Sequence, residues 1–187
     1  MSQVRADEVG LFEDDRGSFH AWFGGQAGFG ALQPLQANAV TSRLGAVRGA
    51  HYTAVPPGQQ RLFSCVHGVM LAAVIDVRVG SPTHAAVTMH ELDAARGGRL
   101  FVPEGFATAF MALTEPAVMV YLCSREFDPA VERGLNPMDP DLAIPWPTDI
   151  AHIVSAKDAS APTLAEARDG GLLPVFTAVA DDGDATG

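Results

Sequence analysis

The stretch Gly45-Ala-Val-Arg-Gly-Ala-His-Tyr52 sets an arginine and a histidine three residues apart inside an apolar, glycine-punctuated run. Read as a strand, it alternates side chains between two faces, so Arg48 and His51 point to opposite sides unless a bulge or bend at Gly49 re-aims one of them. Taken alone, these residues fit a strand-end arginine and a hydrogen-bonded histidine as well as an anion-binder beside a titratable base. The surrounding chain has to decide.

On both sides of this stretch the chain reads as short strands. Leu11 to Phe23 is strand, tight turn at Asp15-Arg16-Gly17, strand, and Gly24 to Gly30 is a loop. From Gln36 to Ser42 polar residues fall at even positions between small or apolar neighbours, which predicts a strand with one polar face lining a cavity. Pro56-Pro57-Gly58 turns into a strand beginning at Gln59 to Ser64, which leads through His67-Gly68 into a β-branched run ending at Val79. Further runs at Ala85–Leu92, Leu100–Pro103, Phe106–Leu113 and Val118–Ser124 are separated by turns such as Gly80-Ser-Pro82 and Glu104-Gly105. Turn signals at roughly 8–12-residue spacing, with no helical period before residue 150, predict an all-β sandwich or barrel. Beyond Trp146-Pro147 the character changes. Thr163-Leu-Ala-Glu166 is a capping box that opens a short C-terminal helix, and residues 180–187 read as a frayed acidic tail.

The 187 residues are 48% hydrophobic and 18% charged, a globular composition that predicts a single domain, with a core from about residue 11 to 176 and a tail over 177–187. No apolar run approaches the ~20 residues that span a bilayer, since Val66–Val79 is interrupted by Asp76 and Arg78. The opening Met-Ser-Gln-Val-Arg-Ala-Asp-Glu has no apolar signal region, so a cytoplasmic location is expected. A net charge of −10 disfavours a nucleic-acid partner but leaves room for a small anion held by a few focused arginines. Cys65 and Cys123 read as buried thiols. Six histidines form neither His-x-His nor His-Glu-x-x-His, so no metal is expected.

Asp15-Arg-Gly17, the Gly45–Tyr52 stretch, Asp76-Val-Arg-Val-Gly-Ser-Pro-Thr83, Phe101-Val-Pro-Glu-Gly-Phe106, Ile144-Pro-Trp-Pro147 after Asp139-Pro140, and Ser155-Ala-Lys-Asp158 follow one another along nearly the whole chain. In this order they resemble the dTDP-4-dehydrorhamnose 3,5-epimerase family. The resemblance implies a cupin jelly-roll barrel, a homodimer built by sheet extension, no metal or other cofactor, and a dTDP-4-keto-6-deoxyhexose as substrate in deoxysugar biosynthesis. It makes His51 the general base and Asp158 the carboxylate that orients it. Hydrogens at C3 and C5 flank a C4 ketone, so removing either leaves an enolate, which a histidine can bring about near neutral pH. Tyr121 matches the acid that returns a proton from the opposite ring face. Arg61 stands where the family places a lysine for the enolate oxygen. Arg16 and Arg48 match residues that grip the pyrophosphate. Gln36 and Asn38 match the nucleotide end of the cleft, and Phe12 and Thr108 complete the substrate-binding candidates.

Besides Arg61, three positions depart from the family pattern. Thr108 stands for a histidine near the sugar's C4 oxygen, Phe127 for a second tyrosine, and Ala21 for an acidic residue. With the carbonyl surroundings remodelled, the resemblance allows inversion at one centre only, as in the family's antibiotic-sugar branch. Two rival readings remain: a member repurposed for another carbonyl substrate, and a catalytically silent cupin that binds a nucleotide sugar.

Overall fold

β-branched and aromatic runs cut at short intervals by glycine and proline favour strands joined by tight turns. The computed structural model describes residues 3–24 and 32–177. In chain order the strands are β1 (Arg5–Glu8), β2 (Phe12–Asp14), β3 (Gly17–Phe19), β4 (Gln36–Ser42), β5 (Ala46–Thr53), β6 (Arg61–His67), β7 (Val69–Asp76), β8 (Val87–Asp93), β9 (Gly98–Val102), β10 (Phe106–Ala112), β11 (Ala117–Cys123), β12 (Glu132–Gly134) and β13 (Ile153–Val154). Two short helices follow, α1 (Ala156–Ala159) and α2 (Leu164–Asp169).

One sheet runs β1-β9-β6-β11-β4; the other runs β12-β5-β10-β7-β8, with β13 added in parallel to β5. The β2–β3 hairpin stands apart as its own two-stranded sheet. Phe63, Leu100 and Met119 of the first sheet pack with Met70, Val74 and Phe110 of the second, so the sheets face each other across a shared core. This is the jelly-roll arrangement that the strand pattern predicts.

The second sheet is buried on both faces, and its sequence says why. In β7 the even positions Met70, Ala72 and Val74 join the inter-sheet core. Ala73 and Ile75 pack on the opposite face under Trp146, Leu164 and Leu173 from the C-terminal segment. A strand covered on both sides needs apolar residues at nearly every position, which is the composition of Val69–Asp76. Asp76 ends that run, buried and bonded to the Arg78 guanidinium through both carboxylate oxygens.

Three features went unread in the sequence. The edge strand β1 is exposed throughout and mostly charged, so it shows no alternation; it is held by pairing with β9 and by Arg99, which is bonded to Asp7 at 2.9 and 2.7 Å. Strands β12 and β13 are three and two residues long, too short for a period to register. Helix α1 is a single turn, too short for a helical period to register. The predicted capping box on α2 is present in both directions, Thr163 to Glu166 and back. Most of the Gly24–Gly30 loop and the 180–187 tail lie outside the described residues.

Candidate active site

Gly49 resolves the question that the opening stretch poses. Thr108 and Phe110 of β10 pair with His51 and Arg48 of β5, so two steps along one strand meet three along the other. The extra residue is a bulge. Val47 and Ala50 then face the outer core, whereas Arg48 and His51 both line a cavity between the sheets. Gly49 has φ +113, and a Cβ there would sit 2.4 Å from the Thr108 carbonyl oxygen. A larger residue would therefore push β10 away and disturb the alignment of both side chains.

The cavity holds about 430 Å³, a volume suited to a small organic ligand. On its β5 side, His51 Nε2 lies 2.8 Å from Asp158 Oδ1. Asp158 reaches it because β13 runs beside the start of β5, Ile153 opposite Ala46, and delivers the chain directly into α1. Ser155 caps that turn by accepting from the Asp158 N–H at 3.1 Å, which fixes the backbone that carries the carboxylate. Asp158 is buried while the imidazole is partly open to the cavity.

Tyr121 enters from β11 in the opposite sheet, its ring 5.2 Å from that of Phe63, which in turn lies 4.6 Å from Phe110. Burial pushes the phenol above its ordinary range. Across β11 the inward row continues into β4, Tyr121 opposite Asn38 and Cys123 opposite Gln36. The polar face predicted for Gln36–Ser42 is thus the one that lines the cavity. Gln36 donates to Asn38 Oδ1 at 2.8 Å and accepts from the Phe127 N–H at 2.6 Å, so both amides are held in one orientation. Arg48 braces against β4, donating to Ser42 Oγ at 3.0 Å and to the Thr41 carbonyl at 3.2 Å.

Arg61 and Thr108 also line the cavity, and both are buried. Phe12 and Arg16 do not reach it. They sit on the β2–β3 hairpin, where the Arg16 side chain is 90% exposed and pairs with Asp14 at 2.6 Å. Sequence reading missed Glu132, Gln59 and Cys123 among the lining residues. Gln59 lies in the segment read as the start of the strand but precedes β6, and it reaches the cavity wall by accepting from Arg61 Nε at 2.6 Å. Glu132 lies on a three-residue strand, too short to give a signal. Cys123, expected as a buried thiol, is buried and accepts weakly from Asn38 Nδ2 at 3.8 Å.

Among the described residues, no group of three or more His, Cys, Asp or Glu side chains could hold a metal, and no helix is long and apolar enough to cross a membrane.

Comparison with known proteins gives one family. The model of dTDP-4-dehydrorhamnose 3,5-epimerases matches residues 2–166. A dTDP-4-dehydro-6-deoxyglucose 3-epimerase of Streptomyces bikiniensis is 44% identical over 177 residues, 92% of this chain and 90% of the relative. A dTDP-4-dehydrorhamnose 3,5-epimerase of Streptomyces griseus is 42% identical over 180 residues, 94% and 87% of the two chains. Among solved structures, ChmJ, a 3'-monoepimerase from Streptomyces bikiniensis in complex with dTDP-quinovose, superposes with a TM-score of 0.88 at 43% identity, covering 92% of this chain and 89% of that one.

Proposed function

This chain belongs to the dTDP-4-dehydrorhamnose 3,5-epimerase family, and from that premise we propose how its cavity inverts a sugar carbon. The protein is an isomerase that epimerises dTDP-4-keto-6-deoxyhexoses, at C3 or at both C3 and C5, in deoxysugar biosynthesis. His51 takes the proton from the carbon beside the C4 ketone. Asp158 holds the imidazole in one tautomer and offsets the charge it gains. The electron pair left on carbon moves into the ketone, giving an enolate. Tyr121 then returns a proton from the other ring face, which inverts the centre; the phenolate takes up a proton from solvent and the His51 imidazolium releases one to it, which resets the site. The observation that carries this reading is the contact between His51 of β5 and Asp158 of α1, with Tyr121 on the facing sheet across the same cavity.

Arg48 binds the pyrophosphate, Gln36 and Asn38 the nucleotide end, and Thr108 the region of the C4 oxygen. The protein works in the cytoplasm as a single-domain homodimer. Phe12 and Arg16 stand on a hairpin outside their own cavity, with Phe12 and Phe19 exposed as a cross-strand pair, so a second copy is the means by which they reach substrate. Light scattering on the purified protein should give twice the chain mass; a monomer would remove Phe12 and Arg16 from the site.

The reaction is tested by a proton NMR time course with dTDP-4-keto-6-deoxyglucose in deuterated water, following the C3 and C5 hydrogens separately. Loss of one signal identifies a mono-epimerase and its carbon; loss of both identifies a double epimerase. Retention of both, while dTDP binds, overturns the assignment and favours a silent cupin or another carbonyl substrate.

A further inference from the structure

The guanidinium of Arg61 is almost fully engaged by protein. Its Nε donates to Gln59 Oε1 at 2.6 Å and one Nη1 hydrogen to the His51 carbonyl at 3.2 Å. Nη2 donates to Thr53 Oγ1 at 3.2 Å and to both carboxylate oxygens of Glu132, each at 3.2 Å. A guanidinium has five N–H donors, so one Nη1 hydrogen is left over among the described residues. The ion pair is largely buried, with side-chain exposures of 10% and 18%. An unscreened carboxylate at this range cancels most of the field that the cation would otherwise send into the cavity.

We propose that Glu132 is a positioning residue of the epimerase: it clamps Arg61 and cancels most of its charge, so that Arg61 offers the substrate's carbonyl oxygen one directed N–H rather than a free cation. This rests on the function proposed above. A compact ammonium at the same position would meet a developing enolate as a point charge. A guanidinium tied to a carboxylate meets it as a fixed dipole, which stabilises the enolate less and ties its position to one direction. The site then has to rely more on fast reprotonation from Tyr121 than on a long-lived enolate, and a short-lived enolate favours reaction at the carbon that binds nearest His51.

Other charged and titratable groups lining the cavity are Arg48, His51 and Asp158 on the β5 side, and Tyr121 and Cys123 on β11. Tyr121 senses the pair directly. After burial and Cys123, the influences on its phenol are Arg61, which favours ionisation, and Glu132, which opposes it, with Arg48 adding to the side of Arg61.

That opposition supplies a readout independent of turnover. The chain has only two tyrosines, and burial pushes Tyr52 up to about 12. The phenolate absorbance of Tyr121 can therefore be followed against pH and assigned by its loss in Tyr121→Phe. Glu132→Gln keeps the shape of the side chain and should lower the Tyr121 midpoint by at least about half a pH unit. Arg61→Gln should raise it by a similar amount, and Glu132→Asp, which keeps the charge, should leave it at the wild-type value. In the NMR assay, Glu132→Gln should change kcat several-fold with little change in KM, and should alter the ratio of C3 to C5 exchange. An unmoved midpoint in Glu132→Gln overturns the proposal, and if that variant does not fold, an unmoved midpoint in Arg61→Gln does so. A shifted midpoint with an unchanged exchange ratio and kcat also overturns it, since the pair would then be structural. A wild-type protein that exchanges neither hydrogen brings down the functional reading itself, a result that the absorbance titration cannot imitate.

Discussion

His51 and Asp158 are 107 residues apart in the chain, yet Nε2 of one lies 2.8 Å from Oδ1 of the other. The contact is made by backbone: β13 pairs in parallel with β5, and a single capped turn of helix carries the carboxylate the remaining distance. A side chain held in this way has its orientation fixed before any ligand arrives, so in the role proposed above its removal should affect chemistry far more than binding.

Asp158→Asn and His51→Ala should each lower the rate of C3 or C5 hydrogen exchange by roughly 10²-fold or more. Binding of dTDP, measured by titration calorimetry, should change by less than about threefold, because Arg48, Gln36 and Asn38 are untouched. Exchange at the wild-type rate in His51→Ala would exclude His51 as the base, and in Asp158→Asn would exclude Asp158 as the group that orients it.

Tyr121→Phe removes only the hydroxyl and retains the ring that packs against Phe63. Hydrogen exchange from the His51 side should persist, while formation of inverted product should fall by about 10²-fold. Comparing deuterium incorporation with product configuration in the same NMR tube separates the two. Undiminished inversion would mean that another group supplies the proton.

Arg61→Lys restores the residue type that the family resemblance implies, but the Gln59, Thr53, Glu132 and His51 carbonyl acceptors are arranged for a planar fork. An ammonium has three donors on one atom and cannot reach all of them. Urea unfolding should show a loss of about 1–3 kcal/mol. Unchanged stability would indicate that water or movement of Glu132 replaces the missing bonds.

Asp76 gives stability a defined pH dependence. Burial alone would raise its carboxyl, but bonds from Arg78, Ser81 and Thr83 together outweigh that effect and hold it well below the usual carboxylate range. In the unfolded chain Asp76 takes up its proton near pH ~4, before the folded protein does, so its stabilising contribution is complete above that pH and is lost as pH falls toward the folded value. Asp76→Asn should cost about 3–5 kcal/mol at pH 7. The gap between wild type and variant, measured by denaturant unfolding, should be flat from pH 6 to 8 and should narrow below roughly pH 4. A gap independent of pH would show that packing rather than charge makes the contribution.

Much of this was legible in advance wherever the controlling interactions are short in sequence. Alternation in Gln36–Ser42 marked a cavity face, because neighbours two apart on a strand share a side whatever the rest of the chain does. The Thr163–Glu166 capping box named a helix start within four residues. The glycine at position 49 marked the one place where Arg48 and His51 could be turned to the same side, and the bulge is there.

Local order along the chain therefore carries the all-β class, most strand positions, the C-terminal capping box and, through its family motifs, most of the polar groups that line the cavity. Which of those groups meet depends on how the sheets pack. That packing brought Asp158 to His51, turned the Arg61 charge onto Glu132, and left Phe12 and Arg16 on a hairpin away from their own cavity. The difference is one of range. Side-chain alternation and capping are set by neighbours along the chain, whereas an ion pair between β6 and β12, or a carboxylate delivered by β13, exists only once sheet order and register are in place.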